Sequence, residues 1–149
     1  MKKHWVVLAL ALVFCAACVS SSSNSSDNGP KLELDLRQAG TMGDTFYFRG
    51  PVNVMYQLHI TNPTASTYTL RRLDLRSEGP GAYSIRTGDA PIVQTIPPNG
   101  TTTVTLSAWA NARGGRMTST EPVTIRGIAH FDGPGGPFTK IFTETLSQF

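Results

Sequence analysis

Cysteine is nearly absent from this chain of 149 residues, which contains only Cys15 and Cys18. The two lie close together near the amino terminus, so they cannot cross-link the body of the chain. Residues 19–149 therefore hold no disulfide, no thiol nucleophile and no cysteine ligand for a metal. We expect the packing of apolar side chains, rather than covalent bonds, to stabilise a domain there.

A long apolar run is missing as well. The longest, Trp5–Phe14, has about ten residues and is too short to cross a bilayer as a helix. It follows the positive residues Lys2 and Lys3 and precedes small residues, an order typical of an export signal. The alternative interpretation of this run is a buried helix of the fold.

The run ends in Cys15-Ala16-Ala17-Cys18, which resembles the lipobox of bacterial lipoproteins. In that family small residues precede a cysteine that is lipidated and becomes the first residue of the mature chain. Cys18 is the residue that matches. The resemblance implies a signal peptide over residues 1–17 and a lipid anchor on Cys18. Val19, rather than aspartate, follows the anchor, which resembles lipoproteins of the outer membrane. The alternative is that the two cysteines pair or bind a metal.

The next segment, Val19–Pro30, is rich in serine and poor in apolar side chains, so it cannot offset the entropy of ordering it. We expect residues 18–30 to be the lipidated cysteine and a flexible tether, and residues 31–149 to be one domain. A coil of this length spans about 20 Å on average and about 40 Å at full stretch. Removal of Lys2 and Lys3 with the signal reduces the excess of basic residues, so charge does not indicate a nucleic-acid partner.

The clearest strand pattern runs from Val52 to Ile60. Every second residue is apolar and most of the residues between them are polar, as in a strand that buries one face. Pro63 ends this strand, because proline removes a hydrogen-bond donor. A second strand follows from Tyr68.

The second strand contains a change of phase. Leu70 and Leu73 are both apolar, yet their spacing does not fit a period of two residues. This spacing predicts a β-bulge or a bend at Arg71 and Arg72.

Similar patterns indicate further strands elsewhere in the chain. They are Leu32–Leu36, Phe46–Phe48, Tyr83–Arg86, Ile92–Ile96, Thr103–Ala108, Val123–Phe131 and Phe138–Leu146. We expect Gly50-Pro51 to close one of them, Trp109 to end another, residues 87–89 to form a turn and residues 111–120 to form a loop. Seven to nine strands without helical periodicity predict an all-β, antiparallel, immunoglobulin-like β-sandwich.

Three segments together resemble the LEA14/WHy family of immunoglobulin-like domains: HITNPTASTYTLRRLDL, IPPNGTTTVTL and PVTIRGIAHF. In that family a strand ends in Asn-Pro, a proline-glycine turn precedes a strand of threonine and valine, and a later strand carries a glycine. The resemblance covers about Val52 to Phe131. It implies a domain without catalytic residues that is linked to the response to water stress.

Residues for catalysis or metal binding are few. No Gly-x-Ser-x-Gly motif occurs, and His130 and Asp132 share a strand face without a third metal ligand. The sequence Arg113-Gly114-Gly115-Arg116 occurs once, and we interpret it as a loop. We therefore expect no enzyme activity, no cofactor, no metal, no small-molecule substrate and no nucleic-acid partner.

Four arginines, Arg71, Arg72, Arg76 and Arg86, lie on or near the second strand. If the predicted bulge brings them to one face, they would suit contact with anionic lipid headgroups or polysaccharide. The alternative is a solvated face that protects the sheet from aggregation.

These patterns together favour a non-catalytic lipoprotein of the cell envelope. We expect it to be anchored to the outer membrane through Cys18, and to contact an envelope protein in assembly or stress protection. The alternative function is a carrier that holds an apolar ligand or lipid between its sheets. A hydrolase is a third interpretation, for which one serine or histidine would have to be essential.

Overall fold

The computed structural model describes most of the predicted domain. The described residues are 29–41, 47–85, 88–116 and 122–146. The predicted signal, Cys18 and nearly all of the predicted tether lie outside them, and so does Arg86. Within these ranges, no helix has the length and apolar character that crossing a membrane requires.

The described chain forms eight strands. They are β1 (Glu33–Thr41), β2 (Tyr47–Asn62), β3 (Tyr68–Glu78), β4 (Tyr83–Ile85), β5 (Gly88–Ile96), β6 (Gly100–Arg116), β7 (Val123–Gly133) and β8 (Gly136–Leu146). A first sheet has the order β1-β2-β6-β4 and a second has the order β5-β3-β7-β8, and every pair is antiparallel. The predicted antiparallel β-sandwich is therefore confirmed.

The core lies between the two sheets. The five apolar residues of the Val52–Ile60 pattern are at most 6% exposed, and so are the alternate residues Val123, Ile125, Ala129 and Phe131 of β7. A strand presents alternate residues to one face, so both patterns supply apolar faces to the same interior. The interpretation of these two strands is confirmed.

The prediction that Gly50-Pro51 closes a strand is wrong, because β2 continues through both residues. The pairing of β1 with β2 ends at Val54, whereas the pairing with β6 continues past Pro51 to Tyr47. Among the described residues, Pro51 thus has a partner strand on one side only. Proline is tolerated at such an edge position, since its missing donor breaks no ladder there.

The predictions for Trp109 and for the loop 111–120 are also wrong where the structure describes them, because β6 runs on to Arg116. Ala108, Ala110 and Ala112 continue the inward face of the strand. Alanine is too small and too weakly apolar to make this continuation visible in the sequence. The prediction of a turn at residues 87–89 is also wrong where the structure describes it, because β5 already begins at Gly88.

Asn62 is fully buried at the end of β2 and joins two turns. Its Nδ2 donates to the carbonyl oxygens of Ser66 and Pro97, both at 2.8 Å. Its Oδ1 accepts from the backbone N–H of Thr64 at 3.0 Å and from the Thr64 hydroxyl at 2.8 Å. Every polar atom of this side chain is thus satisfied, as a buried amide requires.

A chain of hydrogen bonds joins the inner face of β2 to β4 and then to β1, three strands of the first sheet. The hydroxyl of Tyr56 donates to that of Tyr83 at 2.8 Å, and Tyr83 donates to Oε1 of Gln38 at 2.8 Å. Burial, the proximity of Tyr83 and their hydrogen bond raise the pKa of Tyr56, and burial raises the pKa of Tyr83 to about 12. These two hydrogen bonds persist only while both phenols keep their protons.

The four edge strands each carry a feature that discourages pairing with another sheet. In the first sheet β1 has a register shift between Gln38 and Gly40, and β4 has only three residues. In the second sheet β5 contains Pro91, and β8 turns Lys140 and Glu144 toward the interior side. Inward charges, proline, bulges and short strands are known ways to protect an edge.

Replacement of Asn62 by alanine should lower the free energy of unfolding by at least about 2 kcal/mol. Two carbonyl oxygens and two donors of Thr64 lose their buried partner, and each such loss costs about 1–3 kcal/mol. Urea denaturation measures the difference. Asn111→Ala, at an exposed position of β6, is the matched control and should change stability by less than about 0.5 kcal/mol. Similar values for both variants would contradict the role of Asn62.

The stability of the protein should fall at alkaline pH because of the tyrosine pair. The unfolded chain loses phenol protons near pH 10, whereas folded Tyr83 keeps its proton to about pH 12. The contribution of Tyr83 to the free energy of unfolding is thus intact below pH 10. It is lost between pH 10 and 12, by up to about 1.4 kcal/mol per pH unit. Tyr83→Phe should make this slope shallower and, at pH 7, lower stability by about 1–3 kcal/mol. Denaturation at several pH values tests both effects, and an unchanged slope would refute the assignment.

Candidate functional site

The predicted bulge is present in β3 and decides where two arginines lie. Leu70 pairs with Phe131 of β7 and Arg72 pairs with His130, so Arg71 is the extra residue. Arg71 and Arg72 are both exposed, whereas neighbouring residues of a regular strand would lie on opposite faces. The bulge therefore brings both arginines to the surface, as the hypothesis of a shared face required.

Arg71 is held by an acid from β7. Its Nε lies 2.7 Å from Oδ2 of Asp132, and about half of each side chain is exposed. Both side chains therefore remain partly accessible to solvent. The result is a cation and a carboxylate side by side at the surface.

Arg72 belongs to a second cluster on the same face. Its Nη2 lies 3.0 Å from Oδ2 of Asp74 and 3.0 Å from Nε2 of His130. The same nitrogen of His130 lies 2.9 Å from Asp74. Asp74, the most buried of the three, therefore neutralises Arg72 and orients the ring of His130.

Arg76 shares its acid with a residue that the sequence analysis missed. Its Nη2 lies 3.2 Å from Oε1 of Glu78, and Nη1 of Arg126 on β7 lies 3.5 Å from the same oxygen. Arg126 pairs directly with Arg76 across the strands. The alternation of apolar residues in β7 indicates that Arg126 lies on the outer face of that strand. The sequence does not show which strand pairs with β7 there.

The outer face of β3 and β7 is thus a surface of mixed charge. Its four arginines face three carboxylates, those of Asp74, Glu78 and Asp132. The ion pairs are largely exposed, so each contributes at most about 1 kcal/mol. Arg71, Arg72 and Arg76 lie on this face with acids between them, and Arg86 lies outside the described residues.

Two concave regions lie at one end of the sandwich. The first, which we call the Arg71 groove, has a volume of about 320 Å³ and is lined by Arg71, His130, Asp132, Thr139 and the segments around Phe131 and Pro137. The second, which we call the end cavity, measures about 420 Å³ and is lined by Gly29, Pro30, Ser66, Tyr68 and the turn between β7 and β8. Pro137 and Phe138 belong to both.

His130 and Asp132 do not act as a pair of ligands in this arrangement. His130 contacts Asp74, and Asp132 contacts Arg71. No group of three histidine, cysteine or acidic residues suited to a metal ion occurs in the described part of the chain.

Comparison with known proteins supports the fold. No protein-family model matches the chain, and no curated protein matches it. A protein from Archaeoglobus fulgidus is similar in structure, with a TM-score of 0.53 and 12% identity over 79% of this chain and 96% of its own. An ApaA-like protein from Bordetella pertussis has a TM-score of 0.50 and 18% identity over 79% of this chain and 92% of its own. At such identities the likeness concerns the fold alone.

Replacement of Asp74 by asparagine should destabilise the protein by about 1 kcal/mol at low salt. The change removes the negative partner of Arg72 and His130, and the loss should shrink at high salt because ions screen exposed pairs. Denaturation at two salt concentrations measures it. Asp35→Asn is the control, since Asp35 pairs with Arg37 at 2.7 Å but is more exposed. An equal effect in both variants would contradict a special role for Asp74.

Proposed function

We propose that this protein is a lipid-anchored component of the cell envelope whose β-sandwich is a non-catalytic contact module. The observation that carries the proposal is the order of the amino-terminal segments: a short export signal, the lipobox-like Cys15-Ala16-Ala17-Cys18, and a serine-rich tether. Such an order attaches a domain to a bilayer by acyl chains, and more than one chain makes the attachment stable.

The position at which the chain reaches the domain supports the proposal. Gly29 and Pro30 line the end cavity, beside the turn that contains Ser66. The proposed tether thus joins the sandwich at one end rather than on a face. The outer faces of both sheets are left accessible for contact with another envelope protein.

The packing of the interior favours a contact module over the alternative of a lipid carrier. Large side chains fill the space between the sheets, and Tyr56, Tyr83 and Phe131 are at most 1% exposed. A carrier of an apolar ligand needs an apolar cavity of a few hundred Å³ inside the fold. Among the described residues, the Arg71 groove and the end cavity lie at one end of the sandwich and include polar side chains, and those of the Arg71 groove include charged ones.

A role in stress protection, which the resemblance to the LEA14/WHy family implies, forms part of the proposal. The Asn-Pro motif that carries the resemblance is the point at which Asn62 joins two turns. The motif therefore supports the fold, and it supplies no catalytic group.

Replacement of Cys18 by serine should abolish lipidation and release the protein from membranes. The sulfur atom of Cys18 would carry the lipid, and the hydroxyl group of a serine is not lipidated in its place. Membrane fractionation and mass analysis of the amino terminus measure the effect. Cys15→Ser is the matched control and should remain lipidated.

Retention of the Cys18→Ser variant in membranes with unchanged mass would refute the anchor. Mass spectrometry of the purified protein tests the carrier, because a lipid that copurifies in stoichiometric amounts with the domain would favour it.

A further inference from the structure

The Arg71 groove lies where the chain leaves the domain. It shares Pro137 and Phe138 with the end cavity, and that cavity is lined by Gly29 and Pro30, the first described residues. Ten residues separate Gly29 from Cys18, and if they form the tether proposed above they would span about 20 Å on average. A bilayer that holds Cys18 is therefore within reach of this end of the sandwich.

The charges of the groove are those of a zwitterion receptor. Arg71 and Asp132 are each about half exposed, and their shortest contact joins Nε of Arg71 to Oδ2 of Asp132 at 2.7 Å. The two Nη groups of Arg71 suit a phosphate, which arginine binds through parallel hydrogen bonds. The carboxylate of Asp132, which is 45% exposed, suits an ammonium group. A phosphoethanolamine headgroup carries both of these groups a few atoms apart.

A surface for anionic lipid alone would look different. Acids interrupt the arginines of this face at Asp74, Glu78 and Asp132, and each acid would repel a purely anionic ligand. The charge pattern therefore favours a ligand that has charges of both signs.

We propose that the Arg71 groove docks on phosphatidylethanolamine headgroups of the bilayer in which Cys18 is anchored. The phosphate contacts Arg71, and the ammonium contacts Asp132. Thr139 and His130 flank the bound headgroup. This docking rests on the lipid anchor proposed above, and it orients the sandwich with the turns at residues 63–66 and 133–137 toward the membrane.

The docked orientation holds the opposite end of the sandwich away from the bilayer. Ser107 pairs with Met55, seven residues along β2 from Asn62, which lies at the membrane end. At about 3.4 Å per residue in an antiparallel strand, Ser107 is about 24 Å farther from the bilayer. Trp109, which is 67% exposed on the same outer face, lies farther still.

Quenching by spin-labelled lipid tests the orientation. The mature chain has no cysteine besides the acylated Cys18, so one fluorophore can be placed by Ala65→Cys at the exposed turn or by Ser107→Cys on β6. The lipidated protein is reconstituted in vesicles of phosphatidylethanolamine and phosphatidylcholine that contain a headgroup spin label. We expect quenching at position 65 and none at position 107.

Charge variants and vesicle composition test the chemistry. Arg71→Gln should weaken docking about fivefold, the factor that one exposed ion pair with a phosphate contributes at most, and so reduce quenching at position 65. Arg37→Gln is the matched control, since Arg37 also pairs with an aspartate at 2.7 Å, and it should have no effect. Phosphatidylcholine alone should dock the domain poorly, because its trimethylammonium group offers no N–H to Asp132.

The outcomes separate the docking from the anchor. If the lipid anchor is wrong, mass analysis will find no acyl chain on Cys18 before the protein is reconstituted. If the anchor holds but position 65 is not quenched, or both positions are quenched equally, the docking is refuted. Quenching that requires phosphatidylglycerol in place of phosphatidylethanolamine would refute the zwitterion receptor in favour of an anionic surface.

Discussion

The antiparallel ladder between β2 and β6 is the constraint on which the rest of the sandwich depends. It runs from the pair Asn62–Gly100 to the pair Tyr47–Arg116 and is the longest in the described structure. Because side chains alternate between faces, a slip of one residue would turn every apolar residue of β2 to solvent. The hydrogen bonds of Asn62 to Ser66 and Pro97 hold the turns at one end of this ladder and so help to set its register.

The edge strands explain how this sandwich avoids pairing with the sheets of other molecules. The three ladders of each sheet pair its two central strands on both sides, and the four edge strands carry a bulge, a proline, a short length or inward charge. On β8, burial lowers the pKa of Lys140, and burial together with the nearby Asp35 raises the pKa of Glu144. Partly buried charges on the edge strand β8 disfavour pairing with a sheet of another molecule. They contribute little to the stability of the sandwich itself.

The bulge at Arg71 links the fold to the proposed docking on the membrane. One extra residue in β3 places Arg71 beside Asp132, at the end of the sandwich where the chain enters. A regular strand would turn one of the two adjacent arginines toward the core. The charged face is thus a consequence of local backbone geometry, and its acids come from both β3 and β7.

The all-β class, the buried faces of β2 and β7 and the bulge in β3 were all determined by the sequence, because each depends on the spacing of neighbouring residues. The prediction of Cys18 as the anchor rests on the sequence alone. Only the tertiary structure decided that β2 passes through Gly50-Pro51 and that β6 extends past Trp109, because a partner strand stabilises segments with weak local signals. It alone decided that Asp74, Asp132 and Arg126 meet the predicted arginines, since contacts between strands depend on register and sheet order, which local spacing does not encode.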